Sequence, residues 1–332
     1  MNSKLEKLLK ELEKEENYKK EAVKTDIFPL DMIFPNGIND EVIQLAGDSG
    51  TAKTSISLQL AKSYCSQGKK VLYLNTQNSV SQERLNQFSL VEDININFFL
   101  YKVETFKKAE EILDRFISTD EMDLIIIDSI ANLINDGYLN LEHTGKGKGI
   151  TIDNNNSNYD SRPLSLLIRK YSALASSRHF SLVLVSALSQ KVNKSIGTVE
   201  KRFGPKALDR CCTTIIKVNK SKSSKFALTF DKLNKGFPLE FEVIKNNVIR
   251  SNVKVPLYFE YGVGIKDIYY LVYYLISTEL IKQVNSYYEI KDTQIKTKGL
   301  EAMINEIYKV YDAFKAKYRN NVEQFFRSQI GI

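Results

Sequence analysis

The chain has 332 residues, 43% of them hydrophobic, a formal charge of +7 and a pI of about 9.0, which allows one large core plus an appended module and excludes a disordered chain. The basic balance leans toward an anionic partner, and the three cysteines, Cys65, Cys211 and Cys212, have no zinc or disulfide spacing. No apolar run approaches the roughly 18 residues of a membrane span, and the Lys/Glu-rich start lacks the apolar stretch of a signal peptide, so a cytoplasmic protein away from membranes is expected.

Leu5, Leu8, Leu9 and Leu12 form one apolar stripe on a charged helix. A helix that short must pack on its own core or on a neighbour. From Asp26 the pattern changes to Phe28-Pro29-Leu30-Asp31 and then Gly37-Ile38. Residues 41–46 read as a strand, 47–54 as a loop, 55–67 as a helix and 71–74 as a second strand. A helix over 109–117 precedes a buried strand at 124–127 that ends in Asp128; a helix over 164–175 precedes a strand at 181–186. Strands alternating with helices predict an α/β fold, a mostly parallel sheet with crossover helices.

Two stretches break the rhythm. Residues 137–162 carry Gly145-Lys146-Gly147-Lys148-Gly149 and end in Arg162; residues 190–206 are polar and carry Lys191, Lys194, Lys201, Arg202 and Lys206. Both read as long loops, which in a compact domain are functional or disordered. Residues 213–250 read as short strands, one of them at 226–230, with a turn at Gly236. An aromatic helical segment at 258–288 and a last helix at 300–319 follow. Tyr269, Tyr270, Tyr273 and Tyr274 have helical spacing and are assigned to packing rather than base stacking. His143 and His179 have no evident partner. The expected segments are 1–25, 26–252 and 253–332.

Gly47-Asp48-Ser49-Gly50-Thr51-Ala52-Lys53-Thr54 fits the Walker A pattern, with Ala52 where Gly is usual before the Lys. A loop between strand and helix turns its N–H groups inward as a nest for phosphate oxygens, and the helix dipole adds favourable potential. Lys53 would reach the β- and γ-phosphates, and the Thr54 hydroxyl would meet Mg²⁺. Ser55 completes the candidate phosphate set. Leu124 to Asp128 reads as Walker B, with Asp128 on the Mg²⁺ side.

The residues around these motifs resemble the RecA recombinase family. Phe28-Pro29-Leu30-Asp31 with Gly37-Ile38 is similar to the lead-in of its ATPase core. Gly204-Pro205-Lys206-Ala207-Leu208 is similar to the segment closing its second DNA-binding loop. Tyr261-Gly262-Val263-Gly264-Ile265, Leu280-Ile281-Lys282 and Ser286-Tyr287-Tyr288 look like the start of its small C-terminal domain. The resemblance spans about 26–288 and suits a divergent, phage-encoded member. It implies a P-loop RecA-type core with a central mostly parallel sheet, an N-terminal oligomerisation helix and a small C-terminal α/β domain. It also implies ATP held between protomers of a homo-oligomeric filament on single-stranded DNA, for pairing with homologous duplex. Residues 137–162 and 190–206 would then line the filament axis, with Lys146, Lys148, Arg162, Lys191, Lys194, Lys201, Arg202 and Lys206 on phosphates. Lys232, or Lys235 in its place, would reach a neighbour's ATP, and Arg84 would stack on adenine.

Measured against that family the chain departs in several places. Gln77 stands where the catalytic glutamate is expected; a Gln orients water but accepts no proton, so the resemblance implies ATP binding with slow hydrolysis. Glu83 is a nearby carboxylate. Ser186-Ala187-Leu188 replaces a γ-phosphate-sensing Asn-Gln pair, with Gln190 slightly beyond, and Asp209-Arg210 replaces a Lys and an aromatic. The leading expectation is an ATP-dependent recombinase with DNA-dependent ATPase activity. Its rival is a degenerate paralogue that binds ATP and DNA as a non-hydrolysing filament. A helicase or packaging motor is disfavoured by the short stretch before the core, and a switch that never touches DNA by the two basic loops.

Overall fold

The computed structural model describes Lys7 and residues 20–136, 161–193, 197–202 and 205–331, with backbone alone for 189–193 and 197–202. The Leu5–Leu12 stripe and the Gly/Lys-rich run within 137–160 lie outside those residues. The Phe-Pro-Leu-Asp run is a helical turn, α1 (Phe28–Ile33), with Pro29 in its first turn. The Asp31 carboxylate accepts from the Thr25 N–H at 2.8 Å and the Thr25 hydroxyl at 2.9 Å, fixing the approach.

β1 (Val42–Gly47) leads through a loop into α2 (Lys53–Cys65); β2 (Val71–Asn75), α3 (Gln82–Gln87), β3 (Phe98–Lys102), α4 (Phe106–Ile117), β4 (Leu124–Asp128), α5 (Ser161–Arg178) and β5 (Ser181–Asn193) follow. β6 (Gly197–Arg202), α6 (Lys206–Cys211), β7 (Thr214–Lys220), α7 (Lys225–Phe230), β8 (Gly236–Lys245), β9 (Val253–Glu260) and β10 (Gly264–Ile265) complete the core. One ten-stranded sheet runs β10-β9-β8-β7-β1-β5-β4-β2-β3, with β6 paired to β5. From β7 to β3 every pairing is parallel; from β7 to β10 every pairing is antiparallel. β1, β2 and β4 are buried at every position, as unbroken apolar runs in a sheet covered on both faces require. Ile43, Leu45, Leu124 and Ile126 join the core under α2, while Val42, Ile125 and Ile127 join the opposite core with α4 and α5. The chain leaves β1 toward β2 on one side, and β7 flanks β1 on the other. That arrangement opens a crevice at the C-terminal ends of the strands.

Several expected elements change. The polar stretch expected as a loop from 190 is largely a hairpin, because β5 continues to Asn193 and pairs antiparallel with β6, Asn193 opposite Gly197. Residues 226–230, expected as a strand, are in α7; Ser224 caps that helix by accepting from the Ala227 N–H at 3.0 Å. Gly236 starts β8 rather than separating two strands, and Tyr258 lies in β9, not in a helix. The boundary expected near 252 falls between β8 and β9, two paired strands of the core sheet.

Beyond the sheet come α8 (Ile268–Ser277), an antiparallel three-stranded sheet of β11 (Ile281–Val284), β12 (Tyr287–Ile290) and β13 (Lys296–Lys298), then α9 (Leu300–Lys309) and α10 (Tyr311–Ile330), which replace a single final helix. Tyr269, Tyr270, Tyr273 and Tyr274 are all buried in α8. α10 turns back onto the core: Phe326 packs on Tyr270 at 5.1 Å and on Phe28 at 5.6 Å between ring centroids. A second tie is polar. The Gln59 side chain on α2 donates to the Ile265 carbonyl at 2.8 Å and accepts the Ile265 N–H at 2.9 Å. His179, expected to lack a partner, has Nδ1 at 2.8 Å from Asp40 Oδ2.

Candidate nucleotide-binding site

The loop after β1 needs its glycines for two different reasons. A Cβ on Gly47 would lie 2.7 Å from both Thr51 Oγ1 and the Val218 carbonyl oxygen, so only a bare Cα fits between the loop and β7. Gly50 has φ +75°, in the left-handed region. Ala52 is left-handed too, at φ 61° and ψ 18°, so the loop keeps its shape and the Ala carries the strain. The Thr51 hydroxyl donates to the Asp48 carbonyl at 2.9 Å and closes the turn. Lys53 folds over it, donating to the carbonyls of Gly47 at 2.8 Å and Asp48 at 2.7 Å. Burial lowers the pKa of this ammonium, while the nearby Asp128 and Asp48 carboxylates oppose the shift.

Asp128 ends β4, is 1% exposed, and accepts from the Tyr73 hydroxyl at 2.7 Å. Complete burial pushes the Tyr73 phenol well above its usual pKa, so it stays a donor. A cis peptide joins Asp128 to Ser129. Across β2, the Ser129 N–H donates to Thr76 Oγ1 and the Thr76 hydroxyl donates to the Ser129 carbonyl, both at 2.7 Å. Gln77 follows Thr76; its Nε2 donates to Ser129 Oγ and to Asn132 Oδ1, both at 2.9 Å. Gln77 therefore points into the crevice, held by the segment after β4.

Together these groups line a cleft of about 410 Å³. Its walls include Ser49 to Ser55, Gln77, Arg84, Asp128 and Ala187. The sequence reading missed the opposite wall, Phe237, Phe259 and Tyr261 from the far ends of β8 and β9. Tyr261 is 63% exposed, a large aromatic surface bare at the mouth. The signal was the Tyr-Gly-Val-Gly run itself, read as a domain marker rather than as a lining. The loop's N–H groups, a half-buried cation, the Thr54 hydroxyl and the Asp128 carboxylate form a set that fits a magnesium–triphosphate, and an arginine and an aromatic ring lining the same cleft fit a flat base.

The other expected residues lie elsewhere. Lys232 and Lys235 are exposed after α7 and outside the cleft wall; Lys235 pairs with Glu301 at 2.8 Å, and that partner raises its pKa. Lys146, Lys148 and Lys194 fall outside the described residues. Lys191, Lys201 and Arg202 lie on the β5–β6 hairpin, Lys191 opposite Val199, Lys201 opposite Ser189 and Arg202 opposite Leu188. Exposed Arg162 and Lys206 stand in the first turns of α5 and α6. Glu83 is exposed on α3 and does not line the cleft; Gln190 lies on the hairpin.

A family model described as the RecA N-terminal domain matches residues 6–266. The chain belongs to the RecA family. The protein RecA of Malacoplasma penetrans is 24% identical over 332 residues, covering 94% of this chain and 94% of that one. The protein RecA of Mycoplasma mycoides subsp. mycoides SC is 22% identical over 262 residues, 79% of this chain and 70% of that one. The DNA repair and recombination protein RadB of Methanococcus maripaludis is 27% identical over 213 residues, 62% of this chain and 90% of that one. The match to the RecA model runs on to the end of β10, as the sheet does. Within this RecA-family core, Ala52, Gln77 and Ala187 all line one cleft. No helix among the described residues is long and apolar enough to cross a membrane.

Proposed function

We propose that this chain is an ATP-dependent recombinase that coats single-stranded DNA as a homo-oligomeric filament and pairs it with homologous duplex, hydrolysing ATP weakly. The observation that carries the reading is the single cleft that unites the phosphate loop, Thr54, Asp128 and Gln77 in a RecA-family core. Thr54 and Asp128 would hold the magnesium, which when bound neutralises charge shared by the β- and γ-phosphates. Lys53 would leave the loop carbonyls for phosphate oxygens, and Arg84 and Tyr261 would flank the base. The exposed Lys232 and Lys235 are free to face a neighbouring protomer's nucleotide, Lys235 by giving up Glu301. The hairpin with Lys191, Lys201 and Arg202, together with Lys146, Lys148, Arg162, Lys194 and Lys206, would supply cations for DNA phosphates. The names of the relatives, RecA and the DNA repair and recombination protein RadB, support a role in recombination and repair.

A second reading is supported by Gln77, whose amide donates twice to its own protein frame and cannot take a proton. In that reading the chain binds ATP and DNA as a structural filament without turnover. ATP hydrolysis with and without single-stranded DNA, with filaments scored by electron microscopy in the same samples, separates the two. DNA-stimulated turnover on filaments supports the recombinase, and filaments without turnover the structural protein. Absence of both overturns each of them. A salt titration of DNA binding adds a check: phosphate contacts require affinity to fall steeply with salt, and a flat response removes the basic hairpin from the interface.

A further inference from the structure

Tyr73 sits in β2 opposite Ile126 of β4, and Asn75 sits opposite Asp128. Tyr73 and Asp128 are therefore diagonal neighbours on one face of adjacent strands, within reach for a side chain as long as tyrosine. The ring is 0% exposed and packs against Phe98 at 6.0 Å between centroids. Its hydroxyl has two polar neighbours, Asp128 Oδ2 at 2.7 Å and Ser57 Oγ at 2.9 Å, and Ser57 Oγ is also 2.9 Å from the Thr54 carbonyl. With Asp128 ionised, these three contacts share two hydroxyl protons. Tyr73 gives its proton to the carboxylate, so Ser57 gives its own either to Tyr73 or to the Thr54 carbonyl.

We propose that Tyr73 is a positioning residue that clamps Oδ2 of Asp128, so that Oδ1 is presented to the magnesium of a bound nucleotide, with Ser57 steadying the phenol when its hydroxyl turns to Tyr73. The inference rests on the nucleotide-site reading above. A carboxylate without the clamp can turn toward Lys53, whose ammonium it already attracts. That rotation would remove a magnesium-side oxygen and a phosphate-binding cation together. A phenol suits the task because it donates a hydrogen bond without bringing a positive charge that would compete with the metal. Hydrogen-bond partners that orient metal-binding groups typically contribute 10–100-fold to metal affinity.

The test titrates Mg²⁺ into the full-length chain holding a fluorescent N-methylanthraniloyl-ATP. For Tyr73→Phe, half-saturating Mg²⁺ should rise roughly tenfold, with affinity for the analogue in EDTA unchanged. In an Asp128→Asn background Tyr73→Phe should add no further shift, because the clamp then has no carboxylate to hold. Ser57→Ala, which leaves the tyrosine in place, should move the Mg²⁺ curve in the same direction by less, and it decides the matter if Tyr73→Phe does not fold. An unmoved Mg²⁺ curve overturns the proposal. So does an equal loss of affinity with and without Mg²⁺, which is the mark of a packing role, or a shift that adds to that of Asp128→Asn. A wild-type chain that fails to bind the analogue at any Mg²⁺ concentration refutes the nucleotide site itself, and the clamp with it.

Discussion

Replacing Gln77 by Glu asks whether one missing proton acceptor limits turnover. In the native chain the Gln77 amide donates to Ser129 Oγ and Asn132 Oδ1, both at 2.9 Å, and the Ser129 hydroxyl faces Asn132 Oδ1 at 3.1 Å. A carboxylate at 77 would lose both donations. The Ser129 hydroxyl can rotate to donate to it, and the Asn132 amide can turn its Nδ2 inward. Two neutral hydrogen bonds of about 1 kcal/mol each are then exchanged for charge-assisted ones, so the fold should hold to within about 1 kcal/mol. A positioned general base contributes about 10²–10⁴ in rate, or roughly 2.7–5.4 kcal/mol off the barrier at 1.36 kcal/mol per decade. Single-turnover phosphate release on single-stranded DNA should therefore rise about 100-fold or more, with nucleotide affinity little changed. Gln77→Ala, run beside it, removes the amide tether without supplying a base. If Gln77→Glu is no faster than Gln77→Ala while both bind nucleotide, the reasoning is refuted, and the missing polar groups near Ala187 become the limiting defect.

Three further predictions concern stability. Ala52→Gly removes a left-handed strain of about 1–2 kcal/mol and adds about 0.5–1 kcal/mol of unfolded-state entropy; a net gain of about 0.5–1 kcal/mol should appear in urea unfolding, and a loss would show that the Ala52 methyl packs better than its backbone suffers. Gly236→Ala would set a Cβ 1.9 Å from the Phe259 carbonyl oxygen, so a loss of about 2–3 kcal/mol or more is expected together with weaker nucleotide binding, since Phe237 and Phe259 line the cleft; retained stability would mean that β8 and β9 part at no cost. Burial raises Asp267 to a pKa of about 6 against the 3.8 of a free aspartate, the Phe28 N–H and Lys315 opposing the shift. A raised acid favours the folded state at low pH, and that contribution is lost as pH climbs from about 4 through about 6. Asp267→Asn should then unfold at higher urea than the native chain at pH 7.5, by as much as about 3 kcal/mol, and show no gain at pH 4; equal gains at both pH values would sink the titration argument.

The parallel core was legible because its signals are local: unbroken apolar runs, Lys53-Thr54 at a helix start, a carboxylate at a strand end. Two misread segments carried signals that a shorter window hides. Residues 226–230 look like a strand by their Phe and Thr content, yet Phe226 and Phe230 are i, i+4 partners that bury one helix face behind a Ser cap. β9 looked like the start of an aromatic helix because Tyr258 and Phe259 adjoin; the buried–exposed alternation of Val253 to Val255 was the better guide. Other features had no signal in one sequence. The Tyr73–Asp128, His179–Asp40 and Gln59–Ile265 contacts each join residues more than 50 positions apart, and only the strand order brings them together. The aromatic wall of the cleft is hidden for the same reason: Tyr261 reaches the phosphate-loop crevice only because β8 and β9 extend the sheet past β7.

The paired bonds between Gln59 and Ile265 make α2 and β10 one mechanical part. A helix that starts at the phosphate loop is thereby fastened, two turns along, to the last strand before α8. Just beyond Ile265 a further bond, from the Phe28 N–H to the Asp267 carboxylate at 3.1 Å, fastens the root of the C-terminal module to α1. A displacement of the phosphate loop would travel along the same rod to the root of a module whose last helix is itself packed against Phe28 through Phe326, so loop and module share one rigid frame.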